Sequence, residues 1–193
     1  MSLRATAVVA TLILAVGATA SAGSLKGTVK AAGRNVTEAV VYVDAIPGKT
    51  FPSPSAHAKI DQKDMEFVPH VLVVMEGTAV DFLNSDPVLH NVFSPDKCAE
   101  KFNLGTWPQK QIRSYTFKRP CIATLLCNVH PEMEAFVVTV STPYFSITDK
   151  NGSYEISDIP DGTYDVRIWH PKRKAISQKI TISGDTSSDF TLK

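Results

Sequence analysis

The chain has 193 residues, 44% of them hydrophobic and 20% charged, with Lys plus Arg (20) almost balanced by Asp plus Glu (19). A formal net charge of +1 offers no global attraction to nucleic acid or to an anionic membrane surface, so any electrostatic steering must be local. With 3 cysteines, at least one thiol stays unpaired whatever disulfide forms within the chain.

Residues 1–22 carry one charge, Arg4, ahead of an apolar stretch over 5–20 that ends in Ala20-Ser21-Ala22. This is the pattern of a signal peptide cut before Gly23, and the apolar run is short for a membrane span. An exported protein is expected, periplasmic or otherwise released, formally neutral once Arg4 is removed and without a transmembrane anchor.

From Leu25 onward the pattern is short alternating runs broken by Gly, Pro, Asn and Asp, with almost no helical periodicity. It predicts strands over 25–30, 39–45, 57–61, 71–75, 78–83, 90–94, 112–117, 123–127 and 135–140, and one helical turn within 97–103. A further set follows over 145–148, 153–156, 163–169, 175–182 and 188–192, making an all-β chain of two sandwiches. The turn formers of Pro47-Gly-Lys-Thr-Phe-Pro52-Ser-Pro54-Ser read as a linker over 47–55, and Ser141-Thr-Pro143 marks a second break. Between them, 56–140 has the size of one small sandwich, whereas the flanks 23–46 and 141–193 are each too short to bury a core alone.

Within the central segment, Asp96 to Pro120 concentrates Lys97, Lys101, Lys110, Arg113, Lys118 and Arg119. Such a run is either a basic docking face or the solvated charge that protects loops and edge strands. Asp149-Lys-Asn151-Gly152 lacks most of a calcium loop and reads as a β-turn. His70 reads as a structural histidine at a strand start, with a role near a metal as the alternative, and His170 ends a strand.

Chemistry concentrates in Cys127-Asn-Val-His130-Pro-Glu-Met133 and, upstream, in His90-Asn91. A thiolate, two imidazoles and a thioether form the donor set of a blue-copper electron-transfer site, whereas structural zinc sites use Cys and His and seldom a thioether. Each piece alone is weak, since an isolated His or Met is usually structural and Cys-x-x-His also occurs in zinc sites. If Cys127 is a ligand it cannot also be half of a disulfide, which leaves Cys98 and Cys121 either bridged or separately buried as thiols.

Gly77-Thr-Ala-Val80-Asp-Phe82-Leu-Asn84-Ser-Asp86-Pro-Val-Leu-His90-Asn91, followed by the Cys127 to Met133 loop, resembles the plastocyanin and amicyanin branch of the cupredoxins. The two residues between His130 and Met133 match the shorter, amicyanin-like ligand loop, and the chain is also similar to cupredoxins encoded with methylamine-utilisation systems. The resemblance implies one type 1 copper ion in a plane of His90, Cys127 and His130, with Met133 as a weak axial contact. It further implies that Asn91 ties the two ligand loops together and that Pro131 stiffens the loop beside His130.

The flanks carry a second resemblance. Gly27-Thr-Val-Lys-Ala-Ala-Gly33 through Ala39-Val-Val-Tyr-Val43, and Thr148-Asp-Lys-Asn-Gly152-Ser-Tyr154 through Trp169, are similar to the opening and later strands of a carboxypeptidase regulatory-like (transthyretin-related) β-sandwich. On this reading a Greek-key cupredoxin domain at 56–140 is inserted in, or packed on, a small sandwich split between 23–46 and 141–193. The function implied is an exported, non-enzymatic carrier of single electrons between redox partner proteins, with His130 nearest the surface as the electron port. The alternative is a periplasmic copper chaperone or store, which would hand on the ion rather than the electron.

Overall fold

The computed structural model describes residues 22–193, so the predicted signal peptide, apart from Ala22, lies outside the described residues. Three strands come first, β1 (Ala22–Ala31), β2 (Arg34–Asn35) and β3 (Val40–Val43). The central segment supplies β4 (Ala58–Lys63), β5 (Glu66–Val68), β6 (Val71–Met75), β7 (Thr78–Asn84) and β8 (His90–Phe93). After a single 3-10 turn at Lys97–Ala99 come β9 (Asn103–Trp107), β10 (Ile112–Phe117), β11 (Cys121–Leu126) and β12 (Glu134–Val140). The chain ends through β13 (Phe145–Ile147), β14 (Ser153–Pro160), β15 (Gly162–His170), β16 (Arg173–Ile182), β17 (Asp185–Ser187) and β18 (Phe190–Leu192).

The described chain is all-β, as its alternating runs require. Five points differ from the sequence reading. The helical turn predicted within 97–103 is confined to Lys97–Ala99, because β9 begins at Asn103 and pairs with β8. Short β2, β5 and β17, like β9, were not anticipated. They are held by cross-strand backbone bonds to β1, β4 and β8 rather than by any apolar alternation of their own.

Four sheets stack face to face. One holds β14, β1 and β17 with β18 and β2 also on β1; the next holds β13, β3, β15 and β16. The two flanks of the sequence meet here, since β1 pairs with β14, β17 and β18, and β3 pairs with β13 and β15. Leu25, Val29, Val41, Val43, Tyr154, Ile156, Val166, Ile168 and Phe190 close the core between these sheets.

The other two sheets run β6-β12-β11-β8-β9 and β10-β7-β4-β5. Between them lie Ile60, Phe67, Val80, Phe82, Val92, Trp107, Phe117, Ala123, Leu125 and Val137. Side chains alternate across a strand, so β12 sends Ala135 and Val137 into this core and Phe136, Val138 and Val140 out of the other face. The outward set meets Val40 of β3 and, at the margin, Tyr42, Phe145 and Trp169, forming a third apolar layer that joins the two sandwiches. Strand β12 is thereby covered on both faces, which accounts for its nearly unbroken apolar run.

The predicted linker over 47–55 contains no strand but is packed, with the Phe51 ring edge-on to Tyr144 at 5.7 Å. His70 precedes β6, with Nδ1 3.0 Å from Glu38 Oε2 and its ring edge-on to Phe136 at 5.5 Å, so it stands at the junction of the sandwiches. His170 ends β15. The Asp149 carboxylate accepts the amides of Asn151 and Ser153, closing the β-turn before β14. Cys98 and Cys121 are joined in a disulfide with Cα atoms 5.6 Å apart, fastening the 3-10 turn to the start of β11, and Cys127 is a free, buried thiol.

Because Phe136 touches both His70 and Trp169 (ring centroids 5.3 Å) from the middle layer, truncating it opens the junction. Phe136→Ala is expected to cost about 3 kcal/mol, near the low end for a buried aromatic, read as a lower denaturant midpoint.

Candidate metal centre

Strand β11 points Cys121, Ala123 and Leu125 inward, and the same alternation carries Cys127, the residue after its end, into the core with 3% of its surface exposed. The loop then turns back on itself. The Met133 amide donates to the His130 carbonyl at 3.0 Å, and Met133 is buried in the same core as Cys127 just before β12 begins. His130 is half-buried, while Asn128, Val129, Pro131 and Glu132 face solvent.

His90 opens β8 and is fully buried. Its Nδ1 lies 3.0 Å from Nδ1 of His130, the rings crossing at 64°. One ligand-type atom from each of His90, Cys127 and His130 falls within 4.8 Å of the others. Two imidazole nitrogens bound to one ion at roughly 2.0–2.1 Å would stand about 3 Å apart, so this approach suits two ligands on a shared metal. A buried thiol within 4.8 Å of two imidazole nitrogens, with a buried methionine in the same core, is a donor set for a soft or borderline ion rather than for Ca²⁺ or Mg²⁺. These residues therefore fit a copper ion.

Asn91 ties the two ligand segments to each other. Its amide N–H points at Cys127 Sγ at 3.4 Å, and its side-chain oxygen accepts the Asn128 amide at 3.2 Å. Its own Nδ2 donates to Asn103 Oδ1 at 2.9 Å and to the Gly105 carbonyl at 2.8 Å. Gly105 adopts φ 73°, a region where a Cβ is unfavourable, and its amide is in turn held by Asn103 Oδ1 at 2.9 Å. Strand β9 thus fixes the Asn91 rotamer. Pro131 sits in the exposed part of the loop, next to His130.

A residue the sequence reading did not single out also belongs here. Asp86 Oδ2 lies 2.8 Å from His90 Nε2, and the same carboxylate accepts the amides of Asp64 at 2.7 Å and Met65 at 3.0 Å. Burial pushes the Asp86 carboxyl up, but the Met65 amide, His90 and the Asp64 amide more than offset this and hold it below the ordinary carboxylate value. In the sequence Asn84-Ser-Asp86-Pro87 looks like turn chemistry alone. Its second role depends on the β4–β5 loop, distant in sequence and not legible as a motif.

Half of the basic residues between Asp96 and Pro120 are engaged within the chain. Lys118 pairs with Glu100 at 3.2 Å, Arg119 donates to the carbonyls of Cys98 and Lys97, and the Arg113 guanidinium lies 5.7 Å from the Trp107 ring centroid. Loop and edge charge accounts for these three residues. Among the described residues no helix is long and apolar enough to cross a membrane.

No family model and no curated protein matches the chain. Among solved structures it is similar to a purple cupredoxin from Nitrosopumilus maritimus, at 22% identity over 42% of this chain and 98% of that one, TM-score 0.39. An amicyanin variant in its Cu(I) form matches at 21% identity over 53% of this chain and 98% of that one, TM-score 0.42. A Cu-containing nitrite reductase from Thermus scotoductus SA-01 matches at 20% identity over 52% of this chain but only 25% of that one, TM-score 0.44.

Proposed function

We propose that the protein is an exported, non-enzymatic type 1 copper protein that carries single electrons between redox partner proteins. The observation that carries this reading is the convergence of His90, Cys127 and His130, buried or half-buried, beside the buried Met133. Copper bound there would supply one-electron chemistry between Cu(I) and Cu(II). The chain's part is to keep the donors still. His90 is anchored in β8, Cys127 follows directly on β11, and Asn91 links the two through two hydrogen bonds while two more hold its side chain to β9. Fixed donors keep rearrangement between oxidation states small, and the amide directed at Sγ damps the thiolate's donor strength.

The route for the electron follows from exposure. His90 and Cys127 are enclosed, whereas His130 reaches the surface in a loop whose neighbours Val129 (42% exposed) and Pro131 face solvent. Val88 (42%) and Leu89 (52%), just before His90, are exposed apolar side chains as well. Exposed apolar side chains of this kind suit brief contact with a partner, and His130 is the proposed port. The first and last segments, sharing both sheets of one sandwich, form a carboxypeptidase regulatory-like unit on this proposal, acting as the mount for the copper-bearing sandwich.

Cu(II) loading of the mature protein should give an intense thiolate-to-copper absorption that bleaches reversibly on reduction. Cys127→Ser should abolish it, His90→Ala and His130→Ala should disturb it, and His70→Ala, which lies outside the donor group, should leave it unchanged. Tight copper binding without colour would favour the chaperone or store.

Met133 offers a separate test, because a weak thioether contributes little to binding but shifts the balance between oxidation states. Met133→Leu should keep copper and colour and raise the reduction potential, and Met133→Gln should lower it, both read by protein-film voltammetry. Copper loss from Met133→Leu, or potentials unmoved in both variants, would make Met133 a packing residue only.

A further inference from the structure

We infer that Asp86 is a positioning residue of the metal centre, which fixes the His90 tautomer and strengthens its imidazole as a donor, so favouring the oxidised ion. The inference rests on the copper reading above and deepens it.

The chain invests unusual local structure in this carboxylate. Strands β4 and β5 pair Lys63 with Glu66, leaving Asp64 and Met65 as a two-residue hairpin loop. Both adopt positive φ, 57° and 64°, where Asn-Gly or Asp-Gly is the favoured choice and Met is a poor one. Residues held in such regions persist when surrounding contacts over-determine them. Here the loop directs both amides at Asp86, one onto each carboxylate oxygen. On its other side, the Asp86 amide donates to Asn84 Oδ1 at 3.0 Å, and Asn84 Nδ2 donates to the carbonyls of Val88 at 2.9 Å and Trp107 at 3.0 Å. Three N–H groups thus converge on a buried side chain that, ionised, has only acceptors.

That geometry dictates the hydrogen on His90. Facing an acceptor at 2.8 Å, Nε2 carries the proton and donates it, which leaves the Nδ1 lone pair aimed at His130 and Cys127. A carboxylate partner on the far nitrogen of a ligating imidazole raises its basicity and locks its ring. The negative charge lies on the far side of the fully buried imidazole, 2.8 Å from its Nε2, and it favours the more positive oxidation state. A residue serving only the hairpin would have no reason to discriminate between oxidation states.

The test measures Cu(II) and Cu(I) affinities separately for the unaltered protein and Asp86→Asn, with competing chelators, alongside the reduction potential. The expected result is a loss of Cu(II) affinity at least tenfold greater than the loss of Cu(I) affinity, a rise of 59 mV or more for a one-electron couple. Equal losses, or none, would overturn the proposal and leave Asp86 a purely structural residue. Should Asp86→Asn not fold, ¹⁵N NMR of the metal-free, unaltered protein decides: a protonated Nε2 and a bare Nδ1 on His90 are expected, and the reverse tautomer refutes the assignment. That readout requires no copper. A protein with the expected tautomer but no thiolate-to-copper colour would therefore sink the electron-carrier reading and leave the Asp86 contact standing.

Discussion

The Cys127–Met133 loop of the candidate metal centre hangs from a strand clamped between two cores. Strand β12 presents Ala135 and Val137 to one apolar layer and Phe136, Val138 and Val140 to another, and its hairpin with β11 carries the loop from Cys127 to Met133. A loop suspended from a strand buried on both faces inherits that strand's rigidity. The second sandwich, assembled from the two ends of the described chain, supplies the outer cover of β12.

Onto that frame the polar network adds what packing alone cannot. Apolar burial is non-directional and would place Cys127 and His90 near each other without fixing how they face. Asn91 sets the direction toward sulfur, and Asp86 sets the direction of the His90 ring. Each polar tie is itself tied: Asn91 by Asn103 and Gly105, and Asp86 by the Asp64–Met65 loop. Networks satisfied at every member rigidify a buried site, whereas a half-satisfied one would destabilise it.

How much of this could be read from the chain depends on how local the signal is. Strands 71–75 and 112–117 coincide with their predicted bounds: the first is a continuous apolar run with a core on each face, and the second turns Tyr115 and Phe117 onto one core. Strand β9 was not legible: Asn103-Leu-Gly-Thr-Trp107 contains a glycine at positive φ and is mostly exposed, and its pairing with β8 makes it a strand. The donors Cys127, His130 and Met133 stand out because they share one short loop, and His90 through its resemblance to a known pattern. Asp86 escaped notice because its partners come from a hairpin that only the fold brings near, and an Asp before Pro is ordinary turn chemistry.

A pocket of fixed donors has a measurable consequence, and copper X-ray absorption on one sample in both oxidation states tests it most directly. One short sulfur and two imidazole nitrogens should surround the ion in Cu(II) and in Cu(I), with bond lengths nearly unchanged between them. Loss of a nitrogen ligand on reduction, or a Cu(II) centre without the short sulfur, would contradict a rigid electron-carrying site built from His90, Cys127 and His130.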